Sequence, residues 1–149
     1  MIAISPATAE DLGDIQSIYS ALGRPARLGI ECAEYFIARS DSLTVGCAGV
    51  HVLKTAIGDV GYLFGLGVLK KFQRNGIGRA LTEARLTRVT ECGGVDAVAL
   101  AMFWNVAFFR HLGFETIPRN ELREEFGSLS DFCDPKYKRS AVMHRTLTT

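Results

Sequence analysis

The stretch Leu66-Gly67-Val68-Leu69-Lys70-Lys71-Phe72-Gln73-Arg74-Asn75-Gly76-Ile77-Gly78-Arg79-Ala80-Leu81 constrains the fold more than any other. It reads as the end of a buried strand, a basic turn, a glycine-spaced loop and the first turn of a helix. From Ile77 onward Ile77, Ala80, Leu81 and Ala84 fall at helical spacing, with Leu86 and Val89 continuing the stripe imperfectly. Arg79, Glu83, Arg85 and Arg88 fall mostly on the other face and read as solvated charge. Loop amides that run into a helix N-terminus can hold a phosphate. Any anion site has to be local, because the net charge is only +1 and no global field draws nucleic acid or an anionic membrane.

The rest of the chain supplies one domain's worth of elements over residues 1–149. A short strand over 2–5 stops at Pro6. Thr8 and Asp11 form a capping-box pair ahead of a helix over 9–22, whose apolar face is Leu12, Ile15, Tyr19 and Leu22. Gly23 and Pro25 end it. Residues 34–39 read as a strand, although Cys32, Phe36 and Ile37 also suit a helical period. Strands over 43–53 and 59–68 follow, separated by a turn at 55–58. Gly61, Gly65 and Gly67 weaken the second of these unless a bulge, a backbone or a ligand needs the space. After the helix closed by Gly93-Gly94 come a buried strand over 95–102, a helix over 105–112, a strand over 114–117, an irregular polar stretch and a last strand over 140–147.

Cysteine spacing offers no zinc or redox pair among Cys32, Cys47, Cys92 and Cys133, so reduced and mostly buried thiols in a cytoplasmic protein are expected. No apolar run reaches the length of a membrane span, and no metal cluster or nucleophilic triad is visible. Arg24 and Arg27 are either solvated charge or contacts for an acidic substrate.

The loop is neither a P-loop nor a dinucleotide fingerprint. It lacks Gly-Lys-Ser/Thr, and Gly76-Ile77-Gly78-Arg79-Ala80-Leu81 lacks a third glycine after a βαβ strand. Gln73-Arg74-Asn75-Gly76-Ile77-Gly78 instead resembles the Gln/Arg-x-x-Gly-x-Gly/Ala motif of the GCN5-related N-acetyltransferases (GNAT). Downstream, Phe108-Phe109-Arg110-His111-Leu112-Gly113-Phe114 resembles the second hallmark of that family, an aromatic helix ending in Leu-Gly-Phe. The tail, Phe132-Cys133-Asp134-Pro135 and then Ser140-Ala141-Val142-Met143, resembles the small acetylglutamate-synthase and arsenic-resistance branch, with an insertion over 136–139.

The resemblance implies a mixed α/β fold with a mostly antiparallel central sheet of six to seven strands, flanked by helices and splayed at the cofactor-binding strand. It implies acetyl-CoA as cofactor, held by Leu66, Gly67, Val68, Gln73, Arg74, Asn75, Gly76, Ile77, Gly78, Arg79, Asn105 and Phe109. Pantetheine would pair along Leu66 and Val68, and a main-chain N–H near Gly67 or Val68 would polarise the acetyl carbonyl. The acceptor would be a primary amine of a small molecule, with Arg24, Arg27 and Arg119 available to a carboxylate. A homodimer is the assembly it suggests. The position of the usual acid is Phe109, which has no proton to give, and the position of the usual base is Tyr62. His51, on the neighbouring strand, is a second basic group, and Asp59 is expected to be exposed. A non-catalytic acyl-CoA-binding module of the same fold is the alternative function.

Overall fold

The computed structural model describes residues 1–24, 34–55, 58–122, 126, 129, 131 and 137–147. Arg27, Cys32, Cys133, the centre of the 55–58 turn and the tail motif at 132–135 lie outside the described residues.

Seven strands form one sheet in the order β1-β2-β3-β4-β5-β7-β6. They are β1 (Ile2–Pro6), β2 (Glu34–Ser40), β3 (Leu43–Thr55), β4 (Gly58–Val68), β5 (Gly94–Ala101), β6 (Glu115–Ile117) and β7 (Ala141–Thr146). The helices are α1 (Leu12–Ala21), α2 (Ile77–Glu91) and α3 (Val106–His111). The strand reading of residues 34–39 holds, and the helical alternative falls. Phe36, Ile37 and Ala38 are buried on a strand that pairs antiparallel with both β1 and β3.

The chain divides into two compact units, residues 1–51 with 63–88, and residues 52–62 with 89–149. In the first, a short 3-10 turn (Ala9–Asp11) leads into α1. Thr8 N–H donates to Asp11 Oδ2 at 2.8 Å, the reciprocal contact of a capping box. Hydrogen bonding to that N–H, followed by the Arg39 guanidinium, holds the Asp11 carboxyl below its usual range against the opposing effect of burial. The buried face of α1 is Ile15, Ile18 and Tyr19, whereas Leu12 is exposed. The 3-10 start rotates that first apolar residue out of the predicted stripe.

In the second unit, β5 and β6 both pair antiparallel with β7. Phe109 stacks edge-on against Phe108 and Phe114, with ring centroids 5.2 and 5.3 Å apart. Arg145 donates to the Leu112 carbonyl at 2.8 Å, tying the end of α3 to β7.

The β4 glycines answer to side chains of the protein. A Cβ on Gly61 would lie 2.3 Å from Val89 Cγ2, and one on Gly67 would lie 3.0 Å from Leu22 Cδ1. Gly65 is different. Its φ of +66° puts a left-handed kink inside a strand, which glycine adopts without the steric cost a Cβ brings.

Candidate active site

A strand end, a turn and a helix start set up the basic loop. Just past the end of β4, Leu69 N–H still donates to Val45 O of β3 at 2.9 Å. A 3-10 turn (Lys70–Phe72) then swings the chain away. Arg74 has φ +68° and Gly76 φ +78°, with Asn75 of ordinary handedness between them. Such alternation turns successive N–H groups to one side and makes an anion-binding concavity. Gly76 O accepts the first helical bond from Ala80 N–H at 3.0 Å. The amides of Ile77, Gly78 and Arg79 are therefore the unpaired donors of a helix start, carrying its positive end. Among the described residues no carbonyl accepts from the amides of Arg74 to Arg79.

Side chains brace this loop from below. Gln73 Nε2 donates to Val68 O at 2.8 Å, and Asn75 Nδ2 to Phe72 O at 3.3 Å. Ile77 is buried beside Gly46, while Arg74 and Arg79 are exposed. Arg79 is paired with Glu83 at 3.0 Å. Arg74 is thus the cation that the loop itself presents.

Strand direction separates the β4 groups. Leu69 N–H reaches β3, and the Gly67 carbonyl lies 3.3 Å from where a Gly46 Cβ would sit. Alternation along a strand then turns Leu66 and Val68 away from β3. Their carbonyls accept from Arg24 Nη1 at 2.6 Å and from Gln73. The amides on this side belong to Leu66 and Val68, and the Gly67 amide turns toward β3.

Arg85 overturns its expected place among solvated charges. It is 1% exposed. Nε donates to Leu81 O at 3.3 Å, Nη1 to Gly49 O at 3.1 Å and Phe64 O at 3.3 Å, and Nη2 to Thr82 Oγ1 at 2.9 Å. Burial lowers its pKa to about 10. Ile77, Leu81, Arg85 and Val89 fall at four-residue steps, so position had marked Arg85 for the buried face, with Thr82 and Leu86 beside it. Residue type hid that signal.

Next to this guanidinium lie Tyr19 and Cys47. Tyr19 OH donates to Gly65 O at 2.7 Å. Burial raises the Tyr19 pKa, with the nearby Cys47 adding to the rise, and burial pushes the Cys47 thiol up to about 11. Both stay protonated at neutral pH. Cys47 and Cys92 are free thiols.

The remaining predicted residues take several places. Tyr62 is 2% exposed, and its hydroxyl donates to Asp131 Oδ2 at 2.5 Å, a partner sequence reasoning did not name. His51 Nδ1 is buried with no hydrogen-bond partner among the described residues. Asp59 is largely covered and faces Lys54 at 3.8 Å, which corrects its expected exposure. Phe109 is a core ring. Asn105 is exposed at the end of a 3-10 turn (Phe103–Asn105), next to the exposed rings of Phe103 and Trp104. Arg119 is committed elsewhere, donating from Nη2 to Tyr137 O at 2.9 Å and Ser140 O at 3.0 Å. It braces the last segment and is not held ready for a carboxylate. In the second unit a hollow of about 180 Å³ is lined by Asp96, Glu121, Phe126 and His144, with His144 Nε2 3.0 Å from Asp96 Oδ1. Sequence spacing gave no sign of this pair, whose members lie 48 residues apart. Among the described residues no helix is long and apolar enough to cross a membrane.

Comparison with known proteins places this arrangement. The profile of the acetyltransferase (GNAT) domain matches residues 31–116, a span that contains β4, the loop and all of α3 with its Leu-Gly-Phe ending. No curated protein sequence matches the chain. Among solved structures, N-acetylglutamate synthase from Neisseria gonorrhoeae, complexed with coenzyme A and N-acetyl-glutamate, has a similar fold with a TM-score of 0.81. The identity is 22%, and the match covers 100% of this chain but 36% of that one. A Mycobacterium tuberculosis protein in complex with coenzyme A and NLQ gives a TM-score of 0.77 at 19% identity, covering 98% and 99% of the two chains. An acetyltransferase of the GNAT family from Staphylococcus aureus gives 0.74 at 16% identity, covering 99% and 100%. The chain thus spans about a third of the length of the Neisseria synthase. With the family profile matched over more than half of its length, this chain belongs to the GNAT family of acetyltransferases.

Proposed function

We propose that the chain is one functional domain, an acetyl-CoA-dependent N-acetyltransferase acting on a primary amine of a small molecule. One observation carries the reading: the run of amides from Arg74 to Arg79, without carbonyl partners among the described residues, at a left-handed turn that opens a helix. A pyrophosphate fits that donor set, and Arg74 adds charge to it. Coenzyme A carries a pyrophosphate and an amide-bearing pantetheine arm. The arm would run along the Leu66 and Val68 side of β4, as an added strand does.

Acetyl transfer then needs four events. The neutral amine nitrogen attacks the thioester carbonyl carbon, and negative charge gathers on the carbonyl oxygen. A β4 amide on the side facing away from β3 stabilises that oxygen. The C–S bond breaks, the amine proton leaves, and the thiolate takes up a proton. We assign the departing amine proton to Tyr62 with Asp131 behind it, a pair whose members lie 69 residues apart in the chain. Phe109 cannot protonate the thiolate, so solvent does. The N-acetyl-glutamate bound by the Neisseria synthase supports a small, amino-acid-like acceptor. Arg24, which is exposed and whose Nη1 donates to the Leu66 carbonyl, would offer its remaining donors to that carboxylate.

A thiol-release assay with acetyl-CoA and a panel of small amines tests this. The expected result is coenzyme A release that depends on one class of amine. No turnover, with coenzyme A still raising the melting temperature, contradicts it and favours the non-catalytic acyl-CoA-binding module that Phe109 would permit.

A further inference from the structure

Three consecutive carbonyls of β4 are each taken by a side chain from another element or loop. Phe64 O accepts from Arg85 Nη1 at 3.3 Å, Gly65 O from Tyr19 OH at 2.7 Å, and Leu66 O from Arg24 Nη1 at 2.6 Å. The left-handed φ of Gly65 is what brings its carbonyl to Tyr19. A Cβ there would lie 2.5 Å from the Tyr19 oxygen, so only glycine admits the contact.

A carbonyl that accepts a strong hydrogen bond polarises its whole peptide group, and the N–H of that group belongs to the next residue. The Gly65 carbonyl shares its peptide with the Leu66 N–H. Leu66 faces away from β3, the side on which the acetyl group is placed by the function proposed above. The polarisation therefore runs in one direction, from the Tyr19 O–H to the Gly65 carbonyl and through that peptide to the Leu66 N–H. Arg24, on the Leu66 carbonyl, fixes the peptide on the other side of that N–H.

We propose that Tyr19 is a positioning residue for acetyl transfer: through the Gly65 carbonyl it aims and strengthens the Leu66 N–H as hydrogen-bond donor to the carbonyl of bound acetyl-CoA. This rests on the acetyl-CoA reading of the side of β4 that faces away from β3. A tyrosine that merely filled the space over a kinked strand would support the fold without touching the electronics of the bound thioester.

The test is the infrared band of carbonyl-labelled [1-13C]acetyl-CoA bound to the wild-type chain and to Tyr19→Phe, with affinity measured by calorimetry. It needs no acceptor amine. The wild-type chain is expected to move the band to lower wavenumber, the signature of a polarised carbonyl. Tyr19→Phe keeps the ring, and should bind acetyl-CoA within about 2-fold while the band returns toward its free position. With an amine that turns over, kcat should fall about 10-fold with little change in KM, less than the 10²–10³ lost when such a donor is removed outright. Should Tyr19→Phe not fold, site-specific 3-fluorotyrosine at position 19, which keeps the contact to Gly65 O with a stronger O–H donor, should move the band to still lower wavenumber, and an unmoved band there overturns the role of Tyr19. A shifted wild-type band that stays shifted in the variant overturns the role of Tyr19 and leaves the acetyl-CoA reading standing. A wild-type chain that does not bind acetyl-CoA overturns both.

Discussion

The loop from Arg74 to Arg79 and the β4 kink at Gly65 use opposite means. The loop is exposed and offers backbone N–H groups, with side chains bracing it from below. The kink is built from buried side chains, and its backbone carbonyls are the acceptors. A ligand that enters from solvent can meet donors arrayed in a short local run. A strand carbonyl turned out of its ladder has to find a donor from whatever packs over it, because an unpaired buried carbonyl costs about 1–3 kcal/mol. The donor set of the loop is thus a local property, and the arrangement of the β4 carbonyls is a tertiary one.

Arg85→Met cuts deepest into that difference. It leaves Gly49 O and Phe64 O without their Arg85 donor, so unfolding in urea should show a loss of about 2–3 kcal/mol. Coenzyme A affinity of the folded protein should change little. Equal stability of the variant would mean that the carbonyls find other donors and that the kink is not held from outside. Gly61→Ala comes next. Its Cβ meets Val89 Cγ2 at 2.3 Å, and overpacking of this kind costs about 1–3 kcal/mol. Affinity measured alongside stability separates the two uses of a β4 glycine, because a change in coenzyme A binding would place the ligand against Gly61.

Gln73→Ala tests the loop side. Without its side chain the Val68 carbonyl loses a donor at 2.8 Å, and coenzyme A affinity should fall by about 1 kcal/mol with the melting temperature nearly unchanged. The smallest effect belongs to Asp11→Asn. The folded-state pKa of Asp11 is depressed, chiefly by the Thr8 N–H. Its carboxylate therefore adds stability above the ordinary carboxyl range near about 4, and that stability is lost as pH falls through the depressed value. The melting-temperature gap between wild type and variant should be present at neutral pH and close on acidification. A gap that is constant with pH would remove the capping carboxylate from the account.

The order of strands and helices was legible because each element carries its own period, and the loop was legible because its glycines and its helix start lie within a few residues of each other. Legibility ended where chemistry depended on distant partners. Tyr19 and Gly65 are separated by 46 residues, and Arg85 reaches Gly49 across 36. Arg85 also shows a conflict between two signals. Its place on the α2 stripe pointed inward and its charge pointed outward, and four hydrogen bonds to neutral oxygens let position win. The glycines of β4 were visible as an anomaly, but only the packed side chains of Leu22, Val89 and Tyr19 explain them.

The claim that a backbone cradle from Arg74 to Arg79 holds the pyrophosphate is tested most directly by calorimetric titration of coenzyme A, and of pantetheine, which lacks the pyrophosphate, into wild type and Gly76→Asp. A Cβ at Gly76 meets nothing within 4 Å and aspartate tolerates the left-handed conformation, so the variant keeps its fold while placing a negative charge among the amides. Wild type should prefer coenzyme A over pantetheine by about 100-fold or more, a difference of roughly 2.7 kcal/mol, and Gly76→Asp should lose that preference. A variant that still binds coenzyme A as tightly as wild type would contradict the cradle.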